Sequence, residues 1–502
     1  MVRDALREKT VNVSKRGGVF RVIACSCRWE LAACAMVLWA GVQLTHAQTA
    51  PSSSARDLSI NDPIPTPEWA KGARILGVTY DDISRLEALR KTYHASVLFL
   101  YHVPEVSNGW CPQGTWKEVE AFVAEAHRHG FKVLGYFDGT YAEEKFHTGE
   151  HKDWVQRNRQ GNPQHYQPKH IPQHRYCYCF NSPWHGRWVR IAEREAKLGM
   201  DGMFVDNPDY MDKCGESCFC PHCQRRFRQE TGCDLLTVND EVRRRWLSRC
   251  LGWHVRDVHS ALSRTRPDKQ FVVTSNTCGS SRHRTMRVLG RNENVLFRES
   301  GSTRQDFRAM VERDQFDGGH KPLWFILTTG KEWTEATGRV YESLIASVVA
   351  AGGCPMVWAH NYSDDPKRPG FSKTDTIFKS AEVGRAVADY FGFIEKHRRR
   401  LADNTFFRCH VKGAPKSVSV TISRTPDDEI VIQVVNAGTQ DQADLDLQIR
   451  LPKWVAPARL ERFSPRPLED PHFTWTPSGT SRSRLQISKM RAWDIYVSCK
   501  KP

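Results

Sequence analysis

Two groups of residues in this 502-residue chain have the types and spacing to do chemistry. The first is a series of polar residues that each follow a short apolar run. Asp206-Asn207 comes directly after Met203-Phe-Val205, and Glu299 directly after Val295-Leu-Phe-Arg298. Two carboxyl groups held about 5–5.5 Å apart can cleave a glycosidic bond with retention, one as nucleophile and the other as proton donor. Asp82, His102, Asp138, Asn276, Trp333, Trp358 and His360 end or closely follow other apolar runs. Amides bond hydroxyls and indole faces stack on sugar rings, so this set suits a carbohydrate ligand. The plainer uses of the two acids are pairing with a neighbouring arginine, Arg298 in the case of Glu299, and capping the next helix.

The second group is made of cysteines. Cys214-Gly-Glu-Ser-Cys-Phe-Cys-Pro-His-Cys223 spells C-x3-C-x-C-x2-C, with Cys177 and Cys179 upstream. A disulfide framework spreads its cysteines over a small fold. Thiols this close suit one tetrahedral zinc on Cys214, Cys218, Cys220 and Cys223, with local disulfides or free thiols as the alternatives. Four sulfurs leave no coordination position for water, so such a zinc would be structural, and no organic cofactor is called for. His222, between Pro221 and Cys223, reads as a solvated loop residue.

These residues need elements to position them. Short apolar runs at Ile75–Tyr80, Ser96–Tyr101, Lys132–Phe137, Gly202–Asp206, Phe271–Ser275, Asn294–Arg298, Leu323–Thr328 and Pro355–Ala359 alternate with helical patterns such as Trp116–His129 and Val340–Ala351. Eight strands, each followed by a helix, predict a (β/α)8 TIM barrel over residues 71–400, with the working residues at the C-terminal strand ends. An open doubly wound sheet is the alternative, but no glycine-rich phosphate loop follows the first strand. Beyond Arg400 the period falls to two, in Ser417–Ser423, Glu429–Val435, Asp444–Arg450 and Trp493–Val497. That pattern predicts an all-β sandwich over 403–502, packed on the barrel and serving stability rather than catalysis.

Composition narrows the function classes. With 40% hydrophobic residues, 16 Trp and 23 Phe, the chain can bury a sizeable core, which excludes a disordered or fibrous protein. Residues 1–47 combine a basic start, a fourteen-residue apolar stretch from Leu31 to Leu44 and a small-residue site at Ala47, the pattern of a signal peptide. The chain is therefore expected to be secreted or periplasmic, with no stable membrane span after signal cleavage. Pro- and Ser-rich residues 48–70 read as a linker. The charge is +16; residues 1–47 hold seven basic and three acidic residues, so their removal leaves +12. A positive balance makes an anionic polysaccharide a reasonable partner. Nucleic acid is not expected, because the basic residues are dispersed rather than patched between aromatics.

The run Asp201-Gly-Met-Phe-Val-Asp206, the Cys-x-Cys-Pro-x-Cys loop with Phe227, and Cys179-Phe-Asn-Ser-Pro183 are similar to secreted bacterial glycoside hydrolase-like (β/α)8 proteins. That group includes relatives of the β-galactosidases that carry a cysteine zinc site. The architecture matches over about residues 72–400, the specific motifs over some 45 residues. The resemblance implies that Asp206 is a nucleophile, as in the α-glycosidase and α-fucosidase barrels, which also carry a C-terminal β-sandwich. It implies zinc on Cys218, Cys220 and Cys223, with Cys214, Cys179 or Cys177 as fourth ligand. Strand four ends here in Asp-Asn, where the β-galactosidases have Asn-Glu, which favours the nucleophilic-Asp arrangement. Two readings follow: a retaining glycoside hydrolase using Asp206 and Glu299, and a barrel that binds carbohydrate without cleaving it.

Overall fold

The computed structural model describes residues 63–101, 103–104, 115–143, 151–166, 175–208, 218–278, 292–300, 310–311, 321–327, 337–359, 377–378, 380–451, 457–469, 471–478 and 482–498. Strands β1 (Ile75–Val78), β2 (Val97–Leu100) and β3 (Lys132–Asp138) open the fold. A small antiparallel sheet of β4 (Tyr141–Glu143), β5 (His165–Tyr166) and β6 (Arg175–Cys177) then rises from the end of β3. Strands β7 (Gly202–Asp206), β8 (Val272–Cys278), β9 (Leu296–Ser300), β10 (Leu323–Leu327) and β11 (Gly353–Trp358) follow. With β1–β3 they close into an eight-stranded parallel barrel in which β11 pairs with β1. All eight apolar runs are barrel strands. The β4–β6 sheet was not legible, because its strands are two or three residues long and show no period.

Local chemistry starts and stops the helices outside the barrel. Helix Trp116–Arg128 begins with a reciprocal cap: the Thr115 hydroxyl accepts the Glu118 N–H at 3.3 Å, and the Glu118 carboxylate accepts the Thr115 N–H at 2.6 Å. Its Val119, Phe122, Val123 and Ala126 form the buried stripe. Helix Pro221–Thr231 starts on a proline at its first position and ends on Gly232, at φ +73°, where a side chain would be strained.

The composition of residues 63–70 suggests linker, but these residues pack beneath the barrel. Ile64 and Ala70 are buried, Asn294 donates to the Pro65 carbonyl at 3.1 Å, and the Trp324 indole donates to the Ala70 carbonyl at 3.1 Å. Prolines supply extended backbone without spare N–H groups, which is what a plug closing an open strand end requires.

Among the described residues, nine strands make the C-terminal region: β12 (Thr405–Phe407), β13 (His410–Lys412), β14 (Val418–Arg424), β15 (Ile430–Asn436), β16 (Gln442–Arg450), β17 (Leu460–Phe463), β18 (Phe473–Thr476), β19 (Ser483–Met490) and β20 (Trp493–Ser498). They form a five-stranded sheet, β12-β14-β15-β20-β17, and a four-stranded sheet, β13-β16-β19-β18. Ile422, Ile432, Val434, Leu447, Ile449, Leu485 and Tyr496 fill the space between them. Val431, Val435, Trp493 and Ile495 belong instead to the barrel's core. Strand β15 is thus buried on both faces: alternate residues serve the sandwich and the barrel.

Candidate active site and cysteine centre

Inside the barrel, Phe99 of β2, Phe204 of β7 and Phe297 of β9 meet with ring centroids 4.5–6.1 Å apart and close the lumen. Above them Tyr136 stacks on Phe204 at 5.8 Å and Tyr101 lies 5.2 Å from Tyr136. Trp358, at the end of β11, packs 4.3 Å from Tyr101 and lies across β1 at Gly77. A Cβ at position 77 would come within 2.5 Å of the Trp358 ring, so only glycine admits it. Half-buried, Trp358 forms a wall of the mouth.

Parallel register pairs Asp138 with Asp206 at the ends of β3 and β7. Because side chains alternate along a strand, both share the inward parity of Tyr136 and Phe204. The donors to the half-buried Asp206 carboxylate include the Tyr136 hydroxyl at 2.6 Å, the Asn276 amide at 3.2 Å and the Asn207 N–H at 2.9 Å. Its carbonyl accepts the Gly139 N–H at 2.7 Å, tying the two strand ends together. Asn207 turns the chain at φ +47°, and its carbonyl takes the Thr140 hydroxyl. Asp138 is 2% exposed and accepts the Thr140 N–H at 3.2 Å, so it braces this turn beside Asp206.

The structure therefore brings Asp206, Asn207, Asp138, Asn276 and Trp358 to one rim. Asp82 has a different position. It is 1% exposed, accepts the Thr79 N–H at 3.0 Å and pairs with Arg85 at 3.3 Å, so it is a helix-capping group rather than a ligand-binding one. Three acids or polar groups within four residues of a strand end look alike in sequence; the cap is decided by backbone geometry. His102, Trp333 and His360 lie outside the described residues. Strand β9 pairs Glu299 with Ile326 of β10, but the Glu299 side chain is also outside the described set. Tyr136 escaped the sequence reading, although its place two residues before Asp138, and so on the same strand face, was a usable signal.

Four sulfurs converge beside the β4–β6 sheet. Cys179, Cys218, Cys220 and Cys223 are all buried and reduced, with their Sγ atoms all within 4.8 Å of one another. The Cys179 and Cys223 sulfurs are 3.4 Å apart. Cys220 caps helix Pro221–Thr231 and Cys223 lies in its first turn. Hydrogen bonds from Cys179, Cys218 and Cys223 pull the Cys220 thiol well below its ordinary value, while burial pushes Cys179 and Cys223 well above theirs. The Asn181 amide donates to the Cys223 sulfur at 3.3 Å. Among the described residues Cys179 thus takes the fourth place; Cys214 lies outside them, and Cys177 is buried but not in the set.

A family model described as hypothetical glycosyl hydrolase 6 matches residues 97–207. The stretch runs from β2 to Asn207 and includes Tyr136, Asp138, Cys179 and Asp206. None of the curated proteins compared matches this chain. Among solved structures, a cycloisomaltooligosaccharide glucanotransferase from Paenibacillus sp., complexed with cycloisomaltoheptaose, is similar at TM-score 0.62 and 10% identity, over 85% of each chain. The α-amylase of Geobacillus thermoleovorans is similar at TM-score 0.54 and 11% identity, over 86% of this chain and 99% of that one. The trehalose-6-phosphate hydrolase of Bacillus licheniformis is similar at TM-score 0.54 and 10% identity, over 87% and 100%. At such identities the likeness establishes the fold, a TIM barrel followed by a β domain.

Proposed function

We propose that this protein is a glycoside-acting enzyme that works by a retaining two-carboxylate mechanism, with Asp206 as nucleophile. The observation that carries this reading is the Asp206 carboxylate itself, held at the barrel mouth by Tyr136, Asn276 and a backbone N–H. In the first step an Asp206 oxygen bonds to the anomeric carbon while the glycosidic C–O bond breaks and Glu299 gives its proton to the leaving oxygen. In the second, Glu299 takes a proton from water, which attacks the same carbon and frees Asp206. Trp358 offers a stacking face for a sugar ring. The family match over residues 97–207 supports a glycoside substrate, and the named structural relatives put α-glucans first in a test panel, followed by anionic polysaccharides.

The test is turnover of aryl glycosides and a polysaccharide panel by the purified protein and by Asp206→Asn. Product release by the parent, lost in the variant with glycan binding retained, supports the mechanism. If neither releases product but both bind glycans equally, the barrel binds carbohydrate without cleaving it.

Cys179, Cys218, Cys220 and Cys223 are proposed to hold one structural zinc. Four buried thiols whose sulfurs converge within 4.8 Å fit a dication, which would stabilise all four as thiolates. Elemental analysis should find a zinc that is lost in Cys220→Ser. The N-terminal pattern supports secretion or a periplasmic location, checked by fractionation and by N-terminal sequencing of the mature chain. No helix among the described residues is long and apolar enough to cross a membrane.

A further inference from the structure

A second cluster lies one side chain away from the cysteine centre. His185, near the start of helix Trp184–Lys197, faces His254 and Asp257 on helix Asp240–Thr265. One possible ligand atom from each of the three lies within 4.8 Å of the other two. The two imidazole rings are 4.0 Å apart between centroids. His254 is 2% exposed, whereas the side chains of His185 and Asp257 are 17% and 38% exposed, so the cluster is open on one side.

The hydrogen bonds define how the His254 ring is protonated. Asn181 donates its amide N–H to the Cys223 sulfur and its oxygen accepts from Arg226 at 2.7 Å, which fixes the amide's orientation. His254 Nε2 is 3.0 Å from that same oxygen, so Nε2 carries the proton and Nδ1 a lone pair. His185 Nε2 is 3.2 Å from the Asp257 carboxylate, a separation at which that nitrogen and a carboxylate oxygen can share one ion. Both Nδ1 atoms are buried and neither has a hydrogen-bond partner. Two adjacent imidazoles with buried, unpartnered ring nitrogens are unfavourable for a merely structural stack. The His254 ring, its outer N–H held by an amide oxygen and its other nitrogen bare, has the arrangement of a metal-ligating histidine. Arg226 is the nearby opposing charge, 3.3 Å from His254 Nε2, but it is engaged by Glu230 at 2.8 Å and lies over the Trp253 ring.

We infer that His185, His254 and Asp257 form a second metal site, for a divalent ion of the zinc class, distinct from the cysteine centre and linked to it through Asn181. Two nitrogens and one carboxylate suit such an ion and leave a position for water on the open side. The ion clamps helix Trp184–Lys197 to helix Asp240–Thr265, while the four sulfurs clamp the Cys179 segment to helix Pro221–Thr231. Asn181 touches both, so the wall of the barrel that carries β7 is pinned at two adjoining points.

Cobalt(II) distinguishes the two sites. In metal-stripped, purified protein, cobalt bound to four thiolates gives an intense sulfur-to-metal charge-transfer band, whereas a nitrogen–oxygen site gives only weak visible bands. The intact chain should take up two equivalents, one of each signature. His185→Gln and Asp257→Ala, both at partly exposed positions, should each take up one, with the charge-transfer band intact. Saturation of the folded parent at a single thiolate-bound equivalent overturns the proposal, as do two equivalents in both variants. Loss of the charge-transfer band alone, with the weak bands still removed by His185→Gln, would refute the cysteine site and leave this one standing.

Discussion

The barrel mouth and the seam between barrel and sandwich are built from the same residue types, but they use a carboxylate in opposite ways. At the seam, Glu342 on helix Thr337–Ala350 is 0% exposed and is gripped by Arg339 at 3.2 Å, by Arg491 at 2.9 Å and by Arg466. Arg339 also donates to the Arg491 carbonyl at 2.6 Å, and Ser343 to the Asn436 carbonyl at 3.2 Å. Trp493 packs against Tyr390 and Phe393 beside them. There the charge of the acid is cancelled and its oxygens are consumed, so it is a strut. At the mouth, Asp206 is half-buried and oriented by a phenol, an amide and a peptide N–H. The contrast teaches that burial alone does not assign a carboxylate its role. What separates the two is place: Asp206 stands at the C-terminal end of a barrel strand, Glu342 on a helix against the sandwich.

The comparison breaks most sharply at Asp206. Asp206→Asn should cut glycoside turnover on the order of 10⁴-fold while leaving the melting temperature near that of the parent, as removing a nucleophile does. An unchanged rate would make Asp206 a second strut. The converse change, Glu342→Ala, leaves three guanidinium groups around a void and should cost about 3–5 kcal/mol of stability, with turnover per folded molecule unaffected. Denaturant unfolding alongside active-site titration checks both halves of that statement. Smaller again is Tyr136→Phe, which removes one charge-assisted hydrogen bond worth about 1.5–3 kcal/mol and should lower kcat roughly 10- to 100-fold. If kcat is unchanged and only KM rises, Tyr136 contacts substrate rather than positioning Asp206.

The two regions were unequally legible in the sequence. The eight barrel strands were readable because parallel strands buried on both faces are continuous apolar runs, and Asp206 stood out as the polar residue ending one of them. Register then did what spacing cannot: it set Asp138 beside Asp206, whereas Tyr136, two residues before Asp138 on the same face, was within reach of spacing alone. Asp82 was misleading because capping and ligand binding draw on the same residue types at the same strand ends. Cys179 lies 39 residues before Cys218 and joins it only because the β4–β6 sheet folds back, a contact no local pattern encodes. The His185–His254–Asp257 cluster was hidden for the same reason, its members lying on two helices.

Glu195 gives the comparison a third case, an acid with neither arginines nor neutral donors. It sits on helix Trp184–Lys197, fully buried, facing Gly135 of β3 so closely that a Cβ there would meet its oxygen at 2.2 Å. Neither carboxyl oxygen has a hydrogen-bond partner. Burial alone holds this carboxyl well above its usual range, so the folded protein keeps a proton that the unfolded chain releases. The sign follows from linkage: the group's contribution to stability is fully present below the unfolded value, about 4.5, and is lost as pH rises toward the folded value. Glu195→Gln keeps the shape and removes the titration. The two proteins should therefore differ little in melting temperature at pH 4.5. The variant should gain on the parent as pH rises to 8, by a slope no steeper than about 1.4 kcal/mol per pH unit. Parallel curves across that range would mean that Glu195 is ionised in the fold and has found a cation, placing it with Glu342 among the struts.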